Sequence, residues 1–402
     1  MHRVAPWLKA VNVVLTPTIV NRRNKVDKVI DRAVHEAEVK TDGTASGDEQ
    51  FIEDMRFLLR CFADVDGLTP AGWVGTAGDI ASRMENRFRI RKLHAQHPEI
   101  ADEPIERPVV IVGMPRTGTT LTHHVLAQGA DHRAPLMWEL LHCDLGDIPE
   151  DVRAKYIKQA EQMVAGAEKA SPMMVKIHKL GADKPEEDVF VLPHGLIYVV
   201  RAHMPRYEQW MLDRDYTADY QYLKQALQVL QYGRERRRWV LKSPAHLWSL
   251  ETLLKVFPDA QIVWTHRDPA TVMGSMCSLA ETSMSVHVRD PDPHQIGRTW
   301  LGMLATGVGR ARAARRNLSD DTIIDVPYRH LAEEPAERFP ELYAWLSAHW
   351  GTAERRSLDQ ARTRAGGGGG HVYDLARYGI SKREIQQAFG DYGPFVAELG
   401  ES

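Results

Sequence analysis

The chain has 402 residues, enough for a full α/β core, and its 51 Lys and Arg against 54 Asp and Glu leave a net charge of -3. That balance excludes a globally basic nucleic-acid binder, so any anion site must be local. Three widely spaced cysteines, Cys61, Cys143 and Cys277, form no C-x-x-C pair and fit reduced thiols without a zinc site, and no apolar run is long enough to span a bilayer.

Taken in order, the apolar run within Met1 to Val20 is interrupted by Pro6, Asn12 and Pro17 and lacks a small-residue cleavage site, which argues against a secretory signal. Residues 25–100 read as helical. Apolar residues recur at helical spacing in Val26-Val29-Ile30-Ala33 and in Phe51-Met55-Leu58-Leu59-Phe62, on either side of the polar break Lys40 to Asp48. A further helix is expected from about Thr76 to His97, stopped by Pro98. This segment reads as packing, or as a wall over an acceptor pocket.

Val109 to Val112 are four β-branched residues in a row, the pattern of a buried parallel strand, and Gly113 to Thr120 then form a tight turn into a helix at Leu121. Gly113 and Gly118 have the spacing of the G-x-x-x-x-G-K-[ST] loop, whose backbone N–H groups close around phosphate at a helix N-terminus. The Lys is absent: Thr119 stands in its place, Thr120 keeps the hydroxyl position, and Arg116 is the loop's cation. The pattern fits an anionic nucleotide and argues against ordinary ATP or GTP hydrolysis, which needs the Lys and magnesium.

Residues 150–170 and 204–235 are expected to be helical, the second stretch with an aromatic stripe that includes Tyr207, Trp210, Tyr216 and Tyr220. A long helical insertion between sheet strands commonly builds the substrate side of an α/β fold. Further strands are expected at Arg238 to Lys242, followed by Ser243-Pro244-Ala245-His246; at Ala260 to His266, followed by Arg267-Asp268 and a helix over Thr271 to Leu279; and at Thr322 to Val326, followed by Pro327-Tyr328. The fold class is therefore α/β: a P-loop-like parallel sheet flanked by helices, with an N-terminal helical segment and helical insertions. Residues 1–106 form the helical segment packed on the core. Residues 107–402 form the nucleotide domain, with its insertion at about 130–235.

Three separated motifs resemble the sulfotransferase family that uses 3′-phosphoadenosine 5′-phosphosulfate (PAPS), in particular its bacterial branch. Pro115-Arg116-Thr117-Gly118-Thr119-Thr120 is similar to that family's 5′-phosphosulfate loop, P-[KR]-[ST]-G-[ST]-[ST]. Arg267 followed by Ser275 resembles its 3′-phosphate clamp, and Lys242-Ser-Pro-Ala-His246 and Val326-Pro-Tyr328-Arg-His-Leu331 stand where two further family segments are expected. The resemblance covers about Arg107 to Tyr328. It implies PAPS as co-substrate, released as 3′,5′-adenosine bisphosphate, with no metal. It assigns Arg116, Thr117, Gly118, Thr119, Thr120, Arg267, Ser275 and Tyr328 to the donor, with Arg364 and the glycine run Gly366 to Gly370 as a closing segment.

Arg116 and Lys242 are then the cations at the reacting group, and the base is His246 or Glu139. His246 is preferred by a small margin, because an imidazole suits proton abstraction at neutral pH. The aromatic insertion points to a small hydrophobic hydroxyl acceptor, a phenol, sterol or lipid, and not to a polysaccharide or nucleic acid. The expected location is cytoplasmic, with no transmembrane segment, and a homo-oligomer is compatible with the sequence. Two other readings stay open, a P-loop-type phosphotransferase and a non-catalytic nucleotide-binding protein.

Overall fold

A computed structural model describes residues 3–177, 180–365 and 374–400. Four helices come first: α1 (Pro6–Arg23), α2 (Val26–Thr41), α3 (Glu49–Ala63) and α4 (Pro70–Gln96). Then follow β1 (Val109–Gly113), α5 (Thr119–Leu126), β2 (His132–Arg133), α6 (Met137–Leu141), α7 (Glu150–Ala170), α8 (Pro172–Ile177), α9 (Leu196–Val199), α10 (Pro205–Asp213) and α11 (Thr217–Gln231). The second half holds β3 (Arg238–Lys242), α12 (Leu250–Val256), β4 (Gln261–His266), α13 (Pro269–His287), α14 (Pro293–Arg315) and β5 (Ile323–Pro327). It closes with α15 (Tyr328–Glu333), α16 (Pro335–Trp345), α17 (Thr352–Ala365), α18 (Lys382–Phe389) and α19 (Tyr392–Glu398).

The five strands make one parallel sheet in the order β2-β3-β1-β4-β5, so the fold is α/β as expected. All five residues of β1 are buried, because helices cover both faces. Alternation sorts them: Val110 and Val112 join Leu241, Ile262 and Trp264 in one core, while Val109 and Ile111 join Val240, Val263, Val125 and Phe339 in the other. The first core runs on without a break into Ile30, Met55, Phe62, Met84 and Phe88, so the N-terminal helices pack on that sheet face.

Several elements differ from the sequence expectation. α1 is a helix in spite of Pro6 and Pro17; Pro6 opens it, where a missing N–H costs nothing. The stretch at 204–235 is two helices, parted where the Asp215 carboxylate takes the Thr217 N–H (2.9 Å) and starts a new first turn. α13 continues to His287 and is buried along most of its length, which removes the amphipathic stripe that would reveal it. β2 has two residues, too few for any pattern.

α4 fixes the loop that carries Val189 and Leu192. The Arg83 guanidinium, 4% exposed, donates to the carbonyls of Val189 (3.1 Å) and Leu192 (2.5 Å). Asp79 in turn pairs with Arg83 (3.3 Å) and Arg201 (3.2 Å) and accepts from the Tyr198 hydroxyl (2.9 Å). Burial alone would raise the Asp79 carboxyl, but the two guanidiniums and the phenol outweigh it and hold it at about 2, below the ordinary 3.8. A depressed carboxyl contributes stability that is complete above the unfolded value and is lost as pH falls through the folded one. Thermal melts of Asp79→Asn should therefore start lower than wild type at neutral pH, and the gap should close between about pH 4 and about pH 2. A gap that stays constant over that window contradicts this account.

Candidate active site

The parallel register levels the carboxyl ends of the strands. Ile111 pairs with Lys242, Gly113 with Thr265, and His266 with Pro327, so the segments after β1, β3, β4 and β5 emerge at one edge. This edge is where ligands bind in open α/β sheets.

The loop after β1 is built for close backbone approach. A Cβ on Gly113 would lie 2.4 Å from the Thr265 hydroxyl oxygen, and Gly118, with φ +91, caps α5 without a side-chain hydrogen bond. The first-turn N–H groups of α5 have no intrahelical acceptor, the arrangement that suits an anion at a helix start. Arg116 also has a positive φ (74°), an uncommon conformation for a non-glycine residue, and its exposed side chain donates to the Ile177 carbonyl (2.9 Å) at the end of α8. Thr117 turns inward, bonded to the Met114 carbonyl (2.8 Å) and the Thr265 hydroxyl (2.6 Å), so it has only its N–H to offer. Thr119 is buried and Thr120 exposed.

Arg267, just past β4, joins this loop directly. Its guanidinium donates to the Arg116 carbonyl (3.1 Å) and lies over the Tyr328 ring (4.1 Å). The same ring closes on Gly118, where a Cβ would stand 3.0 Å from it. Arg116, Gly118, Arg267 and Tyr328 are thus brought together. Ser275 sits on α13 six residues beyond its first residue, about 9 Å along the axis, and is 4% exposed. The side chain of Arg364 and the glycine run 366–370 lie outside the described residues.

At the end of β3, Lys242 is 1% exposed and bonds the Glu187 carboxylate. The next residue, Asp188, is fully buried and accepts from His246 Nε2 (2.9 Å); His246 Nδ1 meets the Tyr220 hydroxyl (3.0 Å). Both nitrogens of a ring with no exposed surface are therefore bonded within the protein's interior. The segment Glu186-Glu187-Asp188 was missed by the sequence reading. Its signal was three successive acids directly before the apolar run Val189 to Leu192, an expensive place for charge unless cations meet it.

Glu139 is not brought to this edge. It accepts from Arg133 (2.7 Å), Arg234 (2.7 Å) and the Leu136 N–H (3.0 Å), and Arg133 stacks on Trp239 near the amino end of β3. A carboxylate filled by two guanidiniums and an amide is an anchor for α6. Glu139→Gln should lower stability by about 3–5 kcal/mol in denaturant melts while kcat stays near wild type. A collapse of kcat without loss of stability contradicts the anchor role.

After Lys242 a small apolar pocket of about 20 Å³ is walled by Leu192, Leu196, Met211, Tyr216, Tyr220 and Trp248. His194 also lines it, 2% exposed; neither ring nitrogen has a hydrogen-bond partner among the described residues, and burial holds the imidazole well below its ordinary pKa.

Comparison with known proteins gives consistent matches. A model of the Sulfotransferase family matches residues 108–351. The omega-hydroxy-beta-dihydromenaquinone-9 sulfotransferase Stf3 of Mycobacterium tuberculosis (strain CDC 1551 / Oshkosh) is 30% identical over 192 residues, 45% of this chain and 47% of the relative. The match thus spans about half the length of that curated relative. Crystal structures of sulfotransferase STF1 from Mycobacterium tuberculosis H37Rv (TM-score 0.78) and sulfotransferase STF9 from Mycobacterium avium (TM-score 0.80) are each 26% identical. They align over 90% and 91% of this chain and 98% and 96% of their own.

Proposed function

Since the chain belongs to the sulfotransferase family, we propose that it moves a sulfuryl group from PAPS to a hydroxyl of an apolar, lipid-like acceptor. The observation that carries this reading is the convergence at one sheet edge of the Arg116 loop, the Arg267–Tyr328 pair and the Lys242–Glu187 pair. The loop N–H groups and Arg116 take the 5′-phosphosulfate; Arg267, with Ser275, takes the 3′-phosphate; Tyr328 packs against the nucleoside. Arg364 and the glycine run are proposed to close over it.

In the transfer step, Glu187 accepts the proton of the acceptor hydroxyl as its oxygen bonds to sulfur, while the bond from sulfur to the 5′-phosphate oxygen breaks. Arg116, Lys242 and the loop amides neutralise the charge that grows on the departing oxygen. Asp188, His246 and Tyr220 hold the Glu187 segment and the end of β3 in place. Stf3 is named for a menaquinone-type acceptor, and the apolar side chains Leu192, Leu196, Met211, Tyr216 and Trp248 that follow the Glu187 segment and β3 support an apolar acceptor here.

Calorimetric titration in metal-free buffer tests the donor assignment. 3′,5′-Adenosine bisphosphate should bind tightly and ATP weakly. Equal or inverted affinities would favour a phosphotransferase and overturn the proposal.

A further inference from the structure

We propose that α1 is a docking surface for an anionic lipid bilayer. Among the described residues, five of the eight large apolar side chains left exposed lie on this one helix: Trp7, Val11, Val13, Val14 and Leu15. Val13 and Val14 are 70% and 74% exposed and Trp7 is 53% exposed, values that leave most of each side chain in water. Trp7, Val11, Val14 and Thr18 follow the i, i+4, i+7, i+11 spacing of one helical line, while Leu8 and Ile19, about a third of a turn around the helix, are buried against the protein. The exposed stripe is thus continuous over about 16 Å of helix.

Charge identifies the occupant. From Arg3 to Lys25 the chain carries Arg3, Lys9, Arg22, Arg23 and Lys25 and no acidic residue, within a protein of net charge -3. Arg3 and Arg23 serve the fold, bonded to Glu281 and to the Ala63 and Val65 carbonyls, whereas Arg22, on the line of the stripe, and Lys25, just past the helix, are exposed at its end. An apolar face with Trp and flanking cations matches the boundary between acyl chains and anionic headgroups. A second copy would set two such cationic helices against each other. Among the described residues no helix is long and apolar enough to cross a membrane, and α1 carries Lys9 and Asn12 within its first two turns, so the fit is to the surface.

The position of α1 gives this surface a use. The Ala5 N–H donates to the Ala170 carbonyl (2.9 Å) and the Ser171 hydroxyl to the Arg3 carbonyl (2.6 Å), at the start of α8. The other end of α8 is Ile177, whose carbonyl holds Arg116. One six-residue helix, about 9 Å long, therefore separates the front of α1 from the residue that holds the phosphate-loop arginine. A bilayer seated on α1 lies close to the edge where a lipid acceptor would enter. The docking surface itself does not depend on that acceptor.

Vesicle flotation of the full chain tests this. The protein should float with vesicles of phosphatidylglycerol and phosphatidylcholine, and much less with phosphatidylcholine alone. Val14→Asp should cut the bound fraction at least about tenfold, and Arg22→Ala about fivefold. Both sites are exposed, so 3′,5′-adenosine bisphosphate binding and Tm should match wild type. No flotation, flotation unchanged in Val14→Asp, or a dimer in sedimentation that Val14→Asp splits would each overturn the proposal; the last would assign the face to a second copy.

Discussion

Glu187→Gln should lower kcat about a thousandfold while leaving the affinity for 3′,5′-adenosine bisphosphate unchanged. The variant keeps the side chain's size and its oxygen contact to Lys242, and loses only the capacity to take a proton. His246→Asn tests the competing assignment. His246 bonds Asp188 and Tyr220 and has no exposed surface, so its removal should cost stability first, through a stranded buried carboxylate. Residual activity of folded His246→Asn should keep the pH profile of wild type. If Glu187→Gln remains active and folded His246→Asn is dead, the base is the imidazole after all, and the interior must open during turnover.

Arg267→Ala is expected to weaken 3′,5′-adenosine bisphosphate about a hundredfold, the effect of losing about 3 kcal/mol of charge-assisted hydrogen bonding to the 3′-phosphate. Adenosine 5′-phosphate lacks that group, so its affinity should hardly change. The readout is thus the ratio of the two affinities, which a general loosening of the site leaves intact. Loss of the Arg267 contact to the Arg116 carbonyl and to Tyr328 would weaken both ligands together. Such a parallel loss contradicts the clamp assignment and leaves Arg267 as a brace for the loop.

The parts of this molecule that a reader of the sequence can see are those written locally. Val109 to Gly118 combines a β-branched run, two glycines at fixed spacing and a helix start, and each acts within a few residues, so strand, loop and helix appear where expected. β3 and β4 are equally plain, buried apolar runs with a basic residue at or just past the end. Glu187 and Asp188 were not legible, since their meaning lies in Lys242 and His246, more than fifty residues away and reached only once β3 is in the sheet. The resemblance assigns Thr117 to the donor as a whole residue. Register sets its hydroxyl against Thr265, an interstrand fact that no spacing within the loop contains. α1 was obscured by its prolines and by apolar residues on the solvent side, where an ordinary amphipathic pattern has none.

The central claim is that one sheet edge holds both phosphate ends of a single nucleotide. Its most direct measurement is a crystal structure of the complex with 3′,5′-adenosine bisphosphate. The account predicts the 5′-phosphate in the loop of Arg116 to Thr120, within hydrogen-bond reach of its amides, the 3′-phosphate on Arg267 and Ser275, and Glu187 facing the vacant sulfuryl position. A nucleotide seated elsewhere, or bound with its 3′-phosphate turned away from Arg267, would contradict it.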